Sequence, residues 1–282
     1  MKKLAQWLIV IIIFQLSIYT YADRVLLVPS VSFSQNLVET YQKTGATNLI
    51  SYDGAYVART SANGLDILKS QSNESKYHLD LNEKESITYF SWLPDRYVAL
   101  VGINKEGKNT TTVILKPINL ETGSQPEEPS IKGLPKQSRI ADVTFSTATN
   151  VIYLCIKSHE KAMVYRVDAN NNISKVKTTQ WIGKIGSLKS KDALVYDSTT
   201  KNKVYVRYKG AVKQVSPTDG QYALLGVDKS DTIYIGQLDP DGKVTSVLEG
   251  GMNEDFTVFK EMPKAYSVDS LVVTYDGDLH II

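Results

Sequence analysis

Cysteine is almost absent from this sequence, since Cys155 is the only one among 282 residues. A lone cysteine excludes an internal disulfide, and an exported chain of this size without disulfides is more typical of bacteria. Cys155 lies in the apolar run Val151–Ile156, where a cysteine behaves as a small hydrophobic residue. We therefore predict a core thiol, and an intermolecular bridge or a reactive nucleophile is the lesser alternative.

The sequence also lacks a net charge of either sign. The formal charge is +2 at pH 7, and setting aside Lys2 and Lys3 of the acid-free leader leaves 30 basic residues against 30 acidic ones. A surface that binds phosphate backbones needs an excess of lysine and arginine, so the neutral body argues against nucleic acid as a partner. It gives no support to electrostatic binding at an anionic membrane surface either.

Motifs of the common catalytic classes are missing as well. The chain contains no G-x-S-x-G, no H-E-x-x-H and no glycine-rich phosphate loop. The three histidines, His78, His159 and His280, lie far apart without a repeated spacing, which disfavours a triad or a metal site. We therefore predict no catalytic residue, no metal ligand and no cofactor.

One acidic pair could begin a calcium loop. Asp239 and Asp241 precede Gly242, but Lys243–Leu248 follows as a strand without the later oxygen ligands of such a loop. Proline between the acids fixes φ, and Gly242 accepts a positive φ, so the pattern favours a tight turn.

The only long apolar run is Leu4–Ala22, which follows Met1-Lys2-Lys3. A short basic region before an apolar block is typical of an export signal. Thr20-Tyr21-Ala22 fits a signal-peptide cleavage site, yet the run also approaches the ~20 residues that span a bilayer. A cleaved signal and a retained anchor both place the body outside the cytoplasm by the positive-inside rule.

The body consists of short strand-like runs separated by turns. The clearest copy is Tyr89–Gly102, in which an aromatic strand, a turn at Pro94-Asp95 and an apolar strand follow one another. Units of this kind start near positions 48, 89, 141, 185, 218 and 265. Such spacings average near the ~40–50 residues of a propeller blade, so the sequence predicts an all-β propeller of about six irregular blades.

These units resemble the repeats of TolB-type and WD-like propellers, which also form the N-terminal domains of dipeptidyl-peptidase-class proteins. The resemblance is carried by Ser51–Ala58 and by Ser91–Gly102 with Val113–Gly123, and it is weaker at Ser146–Ala148 and Lys189–Asp192. It implies a propeller without catalytic residues, and often a protein-interaction module. No peptidase domain accompanies the repeats.

Two further features are candidates for partner binding. The longest segment without strand patterning is Asn119–Ser138, which we predict to be a loop. A solvated insertion between blades is the favoured interpretation of this loop, and a partner-binding segment is the alternative. Its candidate residues are Pro126, Glu127, Glu128, Pro129 and Pro135. Trp92 and Trp181 could stack on a ligand if exposed, but packing in the blade core is the favoured role for both.

The sequence therefore predicts three segments. Residues 1–22 are a signal peptide or membrane anchor, residues 23–44 are a linker with an edge strand at Val25–Val28 and a short helix at Ser34–Thr44, and residues 45–282 are the propeller. The favoured function is a non-catalytic module that binds another envelope or secreted protein and touches the membrane only through an uncleaved leader. The alternative is an extracellular hydrolase or lyase that acts on a polymer at the propeller's central end.

A cleaved signal peptide and a retained membrane anchor predict different first residues for the native protein. Cleavage after Ala22 gives a mature chain that begins at Asp23, whereas a retained anchor keeps residues 1–22 and leaves the protein in the membrane fraction. N-terminal sequencing of the protein from its native envelope distinguishes them, and finding Asp23 would exclude the anchor.

Overall fold

The computed structural model describes residues 48–122 and 128–282. Within these ranges the regular structure is antiparallel β-sheet, apart from one 3-10 turn at Val268–Ser270. The described residues form two compact units, 48–61 with 65–79 and 62–64 with 80–282. The predicted leader, edge strand and short helix lie outside the described residues.

Sheet 1 accounts for the first unit. It is a four-stranded meander of β1 (Asn48–Ile50), β2 (Tyr56–Thr60), β3 (Gly64–Lys69) and β4 (Ser75–Asp80). Its first turn is closed by Asp53, whose carboxylate accepts the Ser51 hydroxyl at 2.9 Å and the Ala55 N–H at 3.0 Å. The S-x-D-G pattern of the sequence therefore marks a hydrogen-bonded turn.

The second unit contains the other five sheets, each a meander in sequence order. Sheet 2 comprises β5 (Glu85–Trp92), β6 (Val98–Glu106), β7 (Thr110–Asn119) and β8 (Ser130–Pro135). Sheet 3 comprises β9 (Arg139–Ser146), β10 (Val151–Ser158), β11 (Lys161–Val167) and β12 (Ile173–Val176). Sheet 4 comprises β13 (Ile185–Ser187), β14 (Ala193–Ser198), β15 (Lys203–Tyr208) and β16 (Ala211–Gln214). Sheet 5 comprises β17 (Gln221–Val227), β18 (Ile233–Leu238), β19 (Val244–Gly250) and β20 (Thr257–Tyr266), and sheet 6 comprises β21 (Leu271–Val273) and β22 (Leu279–Ile281).

The five sheets of this unit meet through their first strands. β5 contacts β9, β9 contacts β13, β13 contacts β17, and β17 contacts β21. Neighbouring first strands approach closely at Gly186 of β13, where a side chain would not fit. A Cβ added there would lie 2.7 Å from a methyl carbon of Val227 on β17. Each sheet is thus a blade with its first strand innermost, as in a propeller.

The hydrophobic core lies between successive blades. On β10, Tyr153 and Cys155 pack in the cluster shared with sheet 4, whereas Leu154 and Ile156 pack in the cluster shared with sheet 2. Alternate residues of a strand face opposite sides, so a strand buried on both faces reads as a continuous apolar run. This explains the run Val151–Ile156 and confirms the prediction that Cys155 is a core thiol, 1% exposed.

Two interior carboxylates join neighbouring blades. Asp142 of β9 accepts the Ile185 N–H of β13 at 3.1 Å. Asp197 of β14 accepts the N–H groups of Gly183 at 2.8 Å and Leu224 of β17 at 3.2 Å. Burial raises the pKa of both carboxyls, that of Asp142 to about 6, although these N–H groups favour the ionised form.

The described blades confirm the predicted all-β class and the repeating unit, with sheets that begin at residues 48, 85, 139, 185, 221 and 271. The loop predicted over Asn119–Ser138 is wrong for Ser130–Pro135, which form β8 and pair with β7. Pro135 is tolerated there because β8 is the edge of its sheet. In the described ranges, no helix has the length and apolar character that a bilayer crossing requires.

Replacement of Asp142 by asparagine should stabilise the protein at neutral pH. The folded pKa of about 6 exceeds the usual 3.8, so the wild type loses stability as pH rises through this interval. The variant retains an acceptor for Ile185 and carries no charge, so its gain should reach about 3 kcal/mol above pH 7 at ~1.4 kcal/mol per pKa unit. Urea unfolding at pH 4 and pH 7.5 measures the difference, and equal offsets at both pH values would contradict it.

Candidate functional site

A groove of about 750 Å³ opens on the outer side of sheet 3, beside Trp181. Its walls come from the β10–β11 turn, the end of β12 and the segment that follows β12. Trp181 is 40% exposed, so the prediction that it packs in a blade core is wrong. Its neighbour Ile182 takes the core position instead, at 3% exposed.

The chain forms this groove because it leaves sheet 3 and returns a few residues later. β12 ends at Val176, and the Gln180 carbonyl then accepts the N–H of Ala162 on β11 at 2.8 Å. The residues between them bulge outward as one wall. The opposite turn contains His159 at φ 54°, a left-handed conformation that tightens the β10–β11 connection.

A second, polar pocket of about 210 Å³ lies between sheets 3 and 4. Arg166 of β11 donates to Asp192, with Nη2 2.8 Å from the carboxylate, and the Tyr153 hydroxyl also donates to Asp192. Burial raises the pKa of Asp192, but the bonds from Arg166 and Tyr153 outweigh it and hold that pKa below its usual value. Arg207 and Lys209 of sheet 4 complete the wall.

Positive charge is concentrated along these two openings. Their walls contain the two acids Glu160 and Asp192, against six cations: Lys161, Arg166, Lys175, Lys177, Arg207 and Lys209. Lys175 and Val176 border both openings, and we call the two openings together the basic groove. In the described part of the chain, Arg166 is the only one of the six that forms an ion pair. Arg207 donates to the Lys177 carbonyl at 3.3 Å, and the Lys209 ammonium lies 5.3 Å from the Tyr208 ring centroid. None of the other five cations has a carboxylate partner among the described residues, so their charge can act on an anionic ligand.

The turns between first and second strands collect charged residues at one end of the inner strands. Asp231 accepts the Lys189 and Ser190 N–H groups, Asp228 accepts the Thr232 N–H at 2.8 Å, and Asp276 pairs with Lys229 at 2.6 Å. Asp231 and Asp276 thus link the turns of adjacent blades, whereas Asp228 closes its own turn.

Lys189 is the most perturbed cation in these turns. Burial lowers its pKa to about 8 against the attraction of nearby carboxylates. Its ammonium group donates to the Phe145 carbonyl at 3.3 Å and lies 5.0 Å from the Phe145 ring centroid. Lys189 therefore has a local structural partner in the blade interior.

The five residues predicted to bind a partner have different environments. Pro135 lies in the wall of the basic groove. Glu128 pairs with Lys116, and Pro129 is buried with its carbonyl accepting the Leu115 N–H at 2.9 Å. Pro126 and Glu127 lie outside the described residues. Their role in partner binding stays a prediction.

The turn predicted at Asp239 is confirmed. One carboxylate oxygen accepts the N–H groups of Asp241 and Lys243, both at 2.9 Å, and Gly242 has φ 76°. Across residues 48–122 and 128–282, no group of three or more histidine, cysteine or acidic side chains is placed to hold a metal ion.

The lysines of the basic groove are not among the residues predicted from the sequence. Lys175 and Lys177 alternate in the short run Ile173–Lys177, and Lys161 begins the strand paired with that run. This local repetition of lysine was the available signal, and the neutral total charge concealed it.

No protein-family model matches the chain, and no curated protein matches its sequence. The described fold resembles an oligogalacturonate lyase in complex with manganese, at 12% identity and a TM-score of 0.56 over 81% of this chain and 67% of that one. It also resembles the WD40 domain of SCAP from fission yeast, at 13% identity and a TM-score of 0.51. This match covers 80% of this chain and 57% of that one.

Dipeptidyl peptidase 4 from Porphyromonas gingivalis matches at 12% identity and a TM-score of 0.52, over 77% of this chain and 39% of that enzyme, so the chain spans about two fifths of its length. TolB proteins also match, at TM-scores below 0.5. At these identities the likeness concerns the fold alone. The chain therefore has the β-propeller fold that its resemblance to TolB-type and WD-like repeats implied.

Proposed function

We propose that the protein is a non-catalytic, extracytoplasmic β-propeller that binds another envelope or secreted protein through the basic groove. The observation that carries this proposal is the exposed Trp181 in a groove bordered by unpaired lysines. Tryptophan offers a large apolar surface with one polar atom, which is why it is enriched at protein interfaces. Cations around the indole ring orient an oppositely charged partner and raise its association rate.

Export rests on the leader. Lys2 and Lys3 before the apolar run Leu4–Ala22 direct the body out of the cytoplasm, whether or not the leader is cleaved. The proposed partner therefore shares the envelope or the exterior with this protein. Pro126 and Glu127 remain a second proposed contact with the partner, and they precede β8 in the sequence.

The alternative is a lyase or hydrolase that acts on a polymer at the central end. A lysine whose pKa lies near 8 favours it, since perturbed groups are common at active sites. Against it, the Lys189 side chain is 9% exposed, and nearby Asp231 is occupied by N–H groups and a hydroxyl. A substrate would have to displace bonds that hold adjacent blades together. Binding is the better-supported function.

A photo-crosslinking residue placed at Trp181 of the full chain should capture a partner in the native envelope. Val258 on β20, the outer strand of sheet 5, is the matched control, because its apolar side chain is also exposed, at 57%. We expect a discrete protein adduct from position 181 and none from position 258 under equal labelling, read by immunoblotting and mass spectrometry.

Equal adducts at both positions, or none at position 181, would contradict the binding proposal. Release of products from an acidic polysaccharide by the wild-type protein, lost in Lys189→Met, would instead support the enzyme.

A further inference from the structure

The basic groove follows the open edge of a sheet. β12 is the last strand in the order β12–β11–β10–β9, and within the described ranges no strand pairs with its outer side. Ser174–Val176 border the polar pocket, and Lys175–Thr178 border the larger groove. Successive side chains of a strand point to opposite faces, so an opening that contacts three consecutive residues lies along the strand's edge.

This edge is regular enough to accept another strand. The four pairs from Val164 with Val176 to Val167 with Ile173 are in register without a bulge, and the segment contains no proline. A regular edge presents N–H and C=O groups that can pair with an added strand. Partners commonly bind in this way, with main-chain bonds supplying affinity and side-chain contacts supplying specificity.

The charge along the edge selects what can be added. Lys175 and Lys177 lie on or just beyond β12, while Lys161 and Lys209 lie at the turns beside it. Lysine on an edge strand discourages pairing with an ordinary or basic strand, and the same charges attract an acidic one.

We propose that the ligand of the basic groove is an acidic, extended segment of a partner protein, which adds to sheet 3 as a fifth strand beside β12. The inference rests on the proposed function and names the chemistry of the partner. The partner's carboxylates contact Arg207, Lys209 and the two lysines at positions 175 and 177. An apolar side chain of the partner packs on Trp181. An acidic polysaccharide could use the cations and the indole, but it has no amide backbone to pair with the strand edge.

The test uses the full chain and a labelled ten-residue peptide of alternating glutamate and valine with one central tyrosine, followed by fluorescence anisotropy. Three changes should each weaken binding about tenfold or more: Lys175→Glu, Trp181→Ala, and N-methylation of alternate peptide bonds on one edge of the peptide. Lys260→Glu, an exposed lysine on β20, is the matched control and should change binding less than twofold. Affinity should fall as salt rises from 50 to 500 mM.

Other outcomes overturn the inference in distinguishable ways. Equal binding of the N-methylated peptide would show a polyanion site without strand addition. Tighter binding of an oligogalacturonate of similar charge, sensitive to Lys175→Glu, would identify a polysaccharide site. A protein adduct at position 181 in the envelope with no binding of the acidic peptide would leave the proposed function standing and refute this partner chemistry.

Discussion

The packing of apolar residues on both faces of a blade is the constraint on which the five-sheet unit depends. β10 contributes Tyr153 and Cys155 to one interblade core and Leu154 and Ile156 to the next. A sheet with two apolar faces cannot leave either in water, because each buried aliphatic side chain contributes roughly 1.5–3 kcal/mol relative to its exposed state. Each blade therefore needs a neighbour on both sides, and the repeats of the sequence are units of mutual burial.

This constraint determines how polar groups are used near the inner strands. A buried carboxylate is tolerated only with hydrogen-bond donors, and Asp142 and Asp197 obtain theirs from the backbone of adjacent segments and blades. The carboxylates of the first turns likewise bond to neighbouring turns, as Asp231 does with Ser190. These acids serve the assembly of the blades, so ligand chemistry is more accessible on the outer strands, where one edge of the sheet is unpaired.

The sequence predicted the blades better than the site because blades leave a periodic signal. Glycine and asparagine turns between β-branched runs identified most strands, and even the weak match at Lys189–Asp192 marks the turn between β13 and β14. β8 was missed because prolines at positions 129 and 135 resemble a loop, although an edge strand tolerates proline. Trp181 was misassigned because its apolar neighbour Ile182 occupies the core position, and one-dimensional context cannot separate adjacent residues at a blade junction.

Net charge proved a poor guide to partners for a related physical reason. A body with balanced charge can still carry a local field, since screening limits each charge to about 8 Å at physiological salt and only near neighbours act on a ligand. Folding brings Lys161, Lys175 and Lys209 together from three different strands or turns. In contrast, the carboxylates of Asp228 and Asp231 accept backbone N–H groups of the turns. The acids of the turns are thus engaged in hydrogen bonds within and between blades, whereas the lysines at the edge of sheet 3 are exposed. A neutral propeller thereby acquires a surface suited to an acidic partner.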